Sequence, residues 1–298
     1  MKVLITGCLG QVGHCLTEQL HSRSNVELLA LDRDDLDITD RGMVLECVRQ
    51  FNPDIIINAA AHTAVDKAEG DVELSYAINR DGPQFLAQAA QNVGAALLHI
   101  STDYVFTGNK EGEYGEVDLA EPQSVYGQSK LAGEQAVIAA CDKYIILRTA
   151  WVFSEHGNNF VKTMLKLAQT RDELGIIGDQ VGGPTYAGDI ATALIQVADV
   201  MYMKSHLGES CEAISGIYHF SGSPHVSWYE FAKVIFAAAS EHQVLSFLPK
   251  VNEITAAQYP LPAPRPANSK LNCQKINDVF NITPSNWQKA LQRIAEYK

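Results

Sequence analysis

The chain has 298 residues, of which 46% are hydrophobic and 19% are charged, so it can bury a sizeable core as one large domain or as two lobes. Its formal net charge of −12 argues against a general binder of nucleic acid or of anionic membranes, because both partners favour a basic surface. No apolar run in the sequence approaches the about 18 residues that a transmembrane helix requires, and we expect no signal peptide.

The first half of the sequence alternates apolar runs with helical patterns. The apolar runs predict strands at 2–6, 26–31, 54–58, 96–101 and 144–147. Amphipathic spacing predicts helices at 11–21, 44–51, 72–93 and 128–140. Continuous apolar strands separated by helices are typical of a parallel sheet that is covered on both faces. The sequence therefore predicts an α/β fold with a doubly wound, Rossmann-like parallel sheet, whose ligands bind beyond the carboxyl ends of the strands.

The second half of the sequence is less regular. Helices are predicted at 158–167, 187–203, 228–240 and 287–297, and a strand at 216–220. Five prolines within 243–270 indicate an ordered, loop-rich cap. We expect residues 1–153 to form a dinucleotide-binding domain to which 174–221 return. Residues 154–173 and 222–298 should form a smaller α/β lobe that binds the substrate.

The six cysteines are scattered along the chain. They form no Cys-x-x-Cys pair and no Cys/His cluster at metal-binding spacing, so we expect reduced thiols in a cytoplasmic protein. Cys8 lies in a glycine-rich loop before a predicted helix, where it is either a small loop residue or a thiol activated by the helix N-terminus.

Three glycines follow the first predicted strand at intervals of three residues. Gly7, Gly10 and Gly13 lie between a strand and a helix, which is the context that a dinucleotide-binding loop requires. Glycines let the backbone approach a pyrophosphate, and the N–H groups of the helix N-terminus favour its charge. We also expect Gln11 and Val12 to contact the cofactor. The alternative is a strand–helix turn that binds no ligand.

The residues after the second predicted strand bear on the choice of cofactor. Asp32 can accept hydrogen bonds from the adenosine ribose hydroxyls, which favours NADH, whereas Arg33 can neutralise the 2′-phosphate of NADPH. Because the two residues favour different cofactors, we expect the protein to use NADPH or NADH. Asp37 and Ile38 either contact the adenine or belong to a solvated charged surface.

A Tyr and a Lys four residues apart form the second predicted site. Tyr126 and Lys130 lie on one face of a helix if that helix begins by Tyr126. A phenol has a pKa of about 10, and a nearby ammonium and an oxidised nicotinamide would lower this pKa toward the working range. Lys130 can also hold the nicotinamide ribose. Thr102, with Ser101 beside it, would hydrogen-bond the substrate oxygen, so Thr102, Tyr126 and Lys130 are the predicted catalytic residues.

These motifs together resemble an extended short-chain dehydrogenase/reductase, and within that superfamily the dTDP-4-dehydrorhamnose reductase family. The resemblance covers the chain nearly end to end, because matching motifs lie at 7–13, 58–69, 101–106, 126–134, 148–153, 179–185 and 265–269. The glycines and the Tyr/Lys pair are shared across the superfamily, whereas the later motifs are specific to this branch.

The resemblance implies NAD(P)H-dependent reduction of the C4 keto group of a dTDP-linked keto-deoxysugar, yielding dTDP-L-rhamnose. Hydride would pass to C4 of the sugar while Tyr126 protonates the oxygen. The resemblance places Ala59, Ala60, Ala61 and Asn79 along the cofactor, and Thr102, Asp103, Trp151 and Arg265 at the substrate. From the residues alone, Trp151 can equally be a core residue and Arg265 a solvated charge.

Two further questions stay open at this level. Some members of the branch bind a divalent ion through acidic residues at a dimer interface, but Cys15 and Gly188 occupy those positions, so we expect no metal and either a monomer or a homodimer. The alternative functions are reduction of another dTDP-4-keto-6-deoxyhexose and a non-catalytic, NADP-binding role as a regulatory subunit of methionine adenosyltransferase.

Overall fold

The computed structural model describes residues 1–297, so residue 298 of the predicted substrate lobe lies outside the described part. The strands are β1 (Lys2–Thr6), β2 (Glu27–Leu31), β3 (Ile55–Asn58), β4 (Ala96–Thr102), β5 (Tyr144–Thr149), β6 (Val152–Phe153), β7 (Glu173–Ile177), β8 (Val181–Gly182), β9 (Thr185–Tyr186), β10 (Gly216–His219), β11 (Val226–Ser227), β12 (Lys250–Ile254) and β13 (Asn268–Ser269). The α-helices are α1 (Gln11–His21), α2 (Arg41–Phe51), α3 (Val65–Ala68), α4 (Val72–Tyr76), α5 (Gly82–Val93), α6 (Val125–Ala140), α7 (Phe160–Ala168), α8 (Ala187–His206), α9 (Trp228–Glu241), α10 (Gln274–Phe280) and α11 (Trp287–Ala290).

A six-stranded parallel sheet lies at the centre of the molecule, in the order β2-β1-β3-β4-β5-β10. Successive side chains of each strand point to opposite faces. Val3 and Ile5 therefore enter the core beneath α1 and α8, while Leu4 enters the core beneath α2, α5 and α6. The predicted doubly wound α/β fold is confirmed. Because β2 and β3 flank β1 on opposite sides, the chain changes direction there and opens a crevice at the carboxyl ends of the strands.

A second hydrophobic core lies among α7, α9, α11 and the two-stranded sheet of β7 and β12. Trp287 is fully buried there, with its indole N–H donating to Pro224 O at 2.9 Å. The predicted boundary at 173/174 cuts β7, which pairs with β12 along its whole length. Residues 174–177 therefore pack in this second core, whereas α8 and β10 pack in or against the first.

Three segments differ from the sequence-based prediction. The predicted helix at 72–93 contains a π-helical turn, Ala77–Asp81, between α4 and α5. The predicted cap at 243–270 contains the strand β12, and the regular closing helix predicted at 287–297 was wrong, because α11 ends at Ala290 and a 3₁₀ segment follows over Leu291–Glu296. Within residues 1–297, no helix is both long and apolar enough to cross a bilayer.

Candidate active site

The glycine-rich loop joins β1 to α1 by a tight backbone turn. Gly7 has φ +74°, in the left-handed region, and a Cβ atom there would lie 2.7 Å from Ala60 Cα. A Cβ on Gly13 would lie 2.0 Å from Gly7 O, so this turn closes only with hydrogen at both positions. Gly10 is the N-cap of α1 and supplies no side-chain hydrogen bond to the first turn. The first N–H groups of α1 are therefore available to an anionic ligand.

A cavity of about 350 Å³ opens beside this loop at the carboxyl ends of β1, β2 and β3. Most of the predicted cofactor residues line it, namely Gly7, Gly10, Asp32, Arg33, Asp37, Ile38, Ala59, Ala60 and Ala61. Thr39 donates to Asp37 Oδ1 through its backbone N–H (2.9 Å) and its hydroxyl (2.8 Å), and these bonds lower the pKa of Asp37. The cavity thus combines a helix N-terminus, small residues and charged groups at its far end, which fits an extended dinucleotide.

Six of the predicted cofactor residues lie outside the lining of this cavity, namely Gln11, Val12, Gly13, Asn79, Tyr126 and Lys130. Val12 and Gly13 are buried inside α1, and Gln11 Oε1 accepts a hydrogen bond from Asn159 Nδ2 at 2.9 Å. Asn79 is fully buried and binds the backbone of His62, accepting from its N–H at 2.8 Å and donating to its carbonyl at 3.1 Å. Asn79 therefore braces the turn that follows β3, and direct contact of these six residues with a cofactor stays a prediction.

Neighbouring hydroxyls at the end of β4 point in different directions. Ser101 Oγ donates to Glu134 Oε1 at 2.5 Å, and Glu134 also binds Arg148 through two hydrogen bonds of 2.9 and 2.6 Å. All three side chains are nearly inaccessible to solvent. Thr102 faces the opposite way, since side chains alternate along a strand, and lies beside Tyr126. The structure thus commits Ser101 to a buried ion pair and leaves Thr102 next to the phenol.

Helix α6 carries Tyr126 and Lys130 one turn apart, as predicted, because Ser124 caps the helix by accepting from Gly127 N at 3.2 Å. Tyr126 is 8% exposed, and its ring meets the ring of Tyr104 edge to face at 5.4 Å. Burial raises the pKa of Tyr126 to about 12, with hydrogen bonding to Thr102 opposing this rise. The phenol is therefore neutral at pH 7.

Lys130 lies in a buried polar network behind β4, where its Nζ donates to Ile100 O at 2.7 Å. Asn58 Oδ1 accepts from Thr6 Oγ1, so Asn58 Nδ2 donates to His99 Nδ1 at 3.0 Å. Burial lowers the pKa of His99 far below its ordinary value, so the ring is neutral and its proton is on Nε2. This N–H faces Lys130 Nζ at 3.3 Å and favours an uncharged amine. Burial acts in the same direction and lowers the pKa of Lys130 to about 8.

Asp103 is buried beside these groups and is only partly satisfied. Thr102 Oγ1 donates to its Oδ1 at 3.0 Å, while its Oδ2 is buried without a hydrogen-bond partner among the described residues. Burial raises the pKa of Asp103 to about 6, although hydrogen bonds from Ser269 and Thr102 oppose the change. An acceptor-rich group with one free oxygen therefore lies next to the two candidate catalytic hydroxyls.

A second cavity, of about 490 Å³, lies beside the second hydrophobic core and is rich in aromatic side chains. Trp151 and Trp228 stack there with ring centroids 3.5 Å apart and an angle of 11° between planes. Trp151 has φ +49°, a conformation that residues with side chains rarely adopt and that recurs at functional sites. Tyr104 lines this cavity and its ring contacts the ring of Tyr126, so one aromatic side chain links the cavity wall to the candidate catalytic phenol.

Arg265 also lines the second cavity, but its guanidinium is paired. It binds Asp66 through two parallel hydrogen bonds of 3.0 and 2.7 Å, and this contact lowers the pKa of Asp66. Arg265 can meet a diphosphate only by sharing or releasing this carboxylate. Arg265 is thus placed where it could bind a diphosphate, as predicted from the resemblance. Its ion-pair partner, Asp66, was given no role in the sequence analysis.

Several residues of the site were not singled out from the sequence. Tyr104 and Asp66 lie inside two of the motifs on which the family resemblance rests, but those motifs gave no role to either residue. His99 precedes Ser101 on the same strand, where alternation places it toward α6. Trp228 and Phe160 begin two helices of the second core, and the sequence contains no local indication that they meet Trp151.

Comparison with known proteins assigns the family. The family model described as the RmlD substrate binding domain matches residues 1–298. The chain belongs to this family. Among relatives of the RmlD family, the dTDP-4-dehydrorhamnose reductase of Aggregatibacter actinomycetemcomitans is 51% identical over 296 residues, covering 99% of each chain.

Solved structures of RmlD relatives have the same fold. The dTDP-4-dehydrorhamnose reductase of Clostridium acetobutylicum superposes with a TM-score of 0.90 at 40% identity and covers 99% of both chains. The enzyme of Bacillus anthracis, solved in complex with NADP, has a TM-score of 0.88 at 36% identity and covers 100% of this chain and 99% of its own.

Proposed function

We propose that the protein is a dTDP-4-dehydrorhamnose reductase that reduces the C4 keto group of dTDP-4-dehydro-L-rhamnose to give dTDP-L-rhamnose. The observation that carries this proposal is the position of Tyr126. Its phenol is buried beside Thr102, on a helix shared with Lys130, and against Tyr104, which lines an aromatic cavity. The high identity to relatives named for this activity supports the same substrate class.

The cofactor proposed for this reaction is NADPH, with NADH as a second reductant. A relative of the same family is solved with NADP, and Arg33 lines the far end of the 350 Å³ cavity, where the 2′-phosphate of NADPH would be neutralised. Asp32 beside it accepts from ribose hydroxyls, which retains NADH as a substrate. Lys130 would hydrogen-bond the hydroxyls of the nicotinamide ribose.

Reduction needs a hydride, which the bound nicotinamide supplies, and a proton, which the protein must deliver to the C4 oxygen. A pKa of about 12 leaves Tyr126 protonated at neutral pH and ready to donate. The C4 oxygen becomes an alkoxide, whose conjugate acid has a pKa near that of water, about 15.7. Proton transfer from the phenol to this oxygen is therefore favourable. Thr102 would fix the same oxygen by a hydrogen bond and thereby align it with the phenol.

The substrate is proposed to occupy the aromatic cavity. Trp151 would pack on the sugar or the base, Arg265 would bind the diphosphate, and Asp103 would accept a sugar hydroxyl on its free oxygen. In this arrangement residues 1–153 with α8 and β10 bind the dinucleotide, and the second core binds the sugar nucleotide. The six free cysteines are consistent with work in the cytoplasm.

The test is turnover of dTDP-4-dehydro-L-rhamnose with NADPH, followed at the nicotinamide absorbance band. Tyr126→Phe should lower kcat by about 10²–10⁴-fold, the range that a general acid contributes, and leave NADPH affinity nearly unchanged. Tyr202→Phe, on the surface of α8, is the matched control and should behave as the parent protein. NMR of the product distinguishes L-rhamnose from its C4 epimer. Tight NADPH binding without turnover would overturn the proposal in favour of a regulatory role.

A further inference from the structure

Two histidines and a glutamate meet beside α1, and none of them lines the dinucleotide cavity. His14 and Glu18 lie one helical turn apart, and His156 approaches them from the loop that leads into α7. One ring nitrogen of each histidine and one carboxylate oxygen of the glutamate all lie within 4.8 Å of one another. Neither the proposed reduction nor the packing of α1 against the sheet uses these three side chains.

The His14 and His156 rings stack in this cluster with centroids 3.8 Å apart, but hydrogen bonds account for few of its polar atoms. His14 Nε2 lies 3.3 Å from Glu18 Oε1, but His156 Nε2 lies 3.8 Å from Glu18 Oε2, beyond hydrogen-bond range. His156 Nε2 and the neighbouring Glu155 Oε2 are both buried without a hydrogen-bond partner among the described residues. Buried polar atoms in folded proteins nearly always have partners, so these two atoms point to a missing ligand.

A divalent ion at the centre of the cluster would satisfy these atoms. Zn²⁺ binds imidazole nitrogen and carboxylate oxygen at about 2.0–2.2 Å in a tetrahedron, whose ligand atoms are then about 3.3–3.5 Å apart. The Glu18 oxygens already lie 3.3 Å from His14 Nε2 and 3.8 Å from His156 Nε2, whereas the two histidine rings stack with centroids 3.8 Å apart and must turn away from each other to bind one ion. We propose that His14, Glu18 and His156 form a site for a divalent transition-metal ion with the preferences of Zn²⁺, with a fourth position open to water or to Glu155.

This donor set differs from the acidic one that the resemblance implies. Cys15 and Gly188 stand where acids would bind a hard ion such as Mg²⁺, and Cys15 is buried in the core. Two imidazoles favour borderline ions such as Zn²⁺, Co²⁺ or Ni²⁺ over Mg²⁺. The expectation of no metal rested on these two replacements, and His156 lies too far from His14 in the sequence for a ligand spacing to be visible.

The position of the site indicates what the ion does. The loop that carries His156 also binds Gln11, through Ser154 Oγ at 3.1 Å and Asn159 Nδ2 at 2.9 Å. Gln11 is the first residue of α1, directly after the glycine-rich loop. An ion held by α1 and by this loop would tie the start of the dinucleotide-binding helix to the chain that leads into the second core, and would resist their separation.

The experiment uses the full chain, purified without a histidine tag and stripped with chelator. Titration with Co²⁺ should give one ion per chain with the visible absorption of a tetrahedral nitrogen and oxygen site, and Zn²⁺ should displace it. Zn²⁺ should also raise the thermal midpoint, whereas Mg²⁺ at the same concentration should not. His14→Ala and His156→Ala should each weaken Zn²⁺ binding by at least the about 10–100-fold that loss of an outer-shell partner causes.

His21→Ala, at the exposed end of the same helix, and Cys15→Ser are the matched controls and should retain full affinity. NADPH binding by each variant shows that it is folded and separates this proposal from the proposed reductase activity. Equal Zn²⁺ affinity in the parent and in His156→Ala would overturn the assignment. A stoichiometry of one ion per two chains, with dimerisation on loading, would also overturn it, because the ligands would then come from two copies.

Discussion

Replacement of Lys130 by Met should make the protein more stable while removing its activity. Lys130 is 1% exposed, and burial lowers its pKa from 10.5 to about 8, with Glu134 opposing the change. A difference of about 2.5 pKa units, at 1.36 kcal/mol each, means that the fold disfavours the ammonium by about 3 kcal/mol. This penalty is present in full below pH 8, where the lysine is charged in both the folded and the unfolded chain. It disappears as the pH rises from 8 to 10.5, because the folded chain loses its proton first.

Methionine keeps the apolar stem and removes the charge. The contacts of Nζ with Ile100 O and with His99 Nε2 are lost as well, which offsets the gain by about 2 kcal/mol. We therefore expect Lys130→Met to raise the free energy of unfolding by about 1 kcal/mol at pH 7, as measured by urea unfolding. The gain should shrink as the pH approaches 10, since all other titrating groups are common to both proteins. Turnover with NADPH should fall by about 10²-fold or more if Lys130 acts as proposed.

Lys143→Met is the matched control, because Lys143 lies at the surface and its Nζ donates to Gly94 O at 3.1 Å. Its effect on unfolding should be within about 0.5 kcal/mol at both pH values. A stability difference between Lys130→Met and the parent that is the same at pH 7 and at pH 10 would refute the reasoning, because it would show that the buried amine is not held against its charged form.

Three other predictions concern the dinucleotide cavity and the buried ion pair of Glu134 with Arg148. Gly7→Ala should weaken NADPH binding at least tenfold in a fluorescence titration, because the added Cβ meets Ala60. Gly94→Ala is the control, since Gly94 has φ +76° but no neighbour within 4 Å of the added Cβ, and it should leave NADPH binding unchanged. Equal losses in the two variants would show that the contact with Ala60 is irrelevant. Glu134→Gln should lower the free energy of unfolding by about 3–5 kcal/mol, because it leaves Arg148 buried and unpaired; a urea midpoint like that of the parent would contradict this. Arg33→Ala should reduce the ratio of kcat/KM for NADPH over NADH, and an unchanged ratio would remove Arg33 from 2′-phosphate binding.

The part of the structure that local sequence determines was predictable. The apolar runs of β1 and β3 and the glycines after β1 placed the parallel sheet and the loop that opens the cavity, because each feature is encoded within a few residues. The direction of Thr102 relative to Ser101 also follows from strand alternation once β4 is in register with β5.

Contacts between distant segments were not predictable. The strand β7 contains Gly175 and pairs with β12 from a proline-rich region, so neither segment reads as a strand alone. The pair of Arg265 with Asp66 joins two motifs whose charges carry no information about each other in the sequence. Burial raises the pKa of Tyr126, and the depth of this burial depends on tertiary packing against Tyr104 and its neighbours, which the sequence does not show. The expected fall of this pKa beside an oxidised nicotinamide stays a prediction.

The stacked indoles of the aromatic cavity give the protein an internal optical reporter. Of its three tryptophans, Trp151 and Trp228 are within van der Waals contact of each other, while Trp287 is enclosed in the second core against Phe231. Any planar group that slides between the first two rings must separate them and alter their emission, whereas the third emits as a fixed internal reference. Occupancy of the cavity can therefore be followed by intrinsic fluorescence, without a label and without turnover.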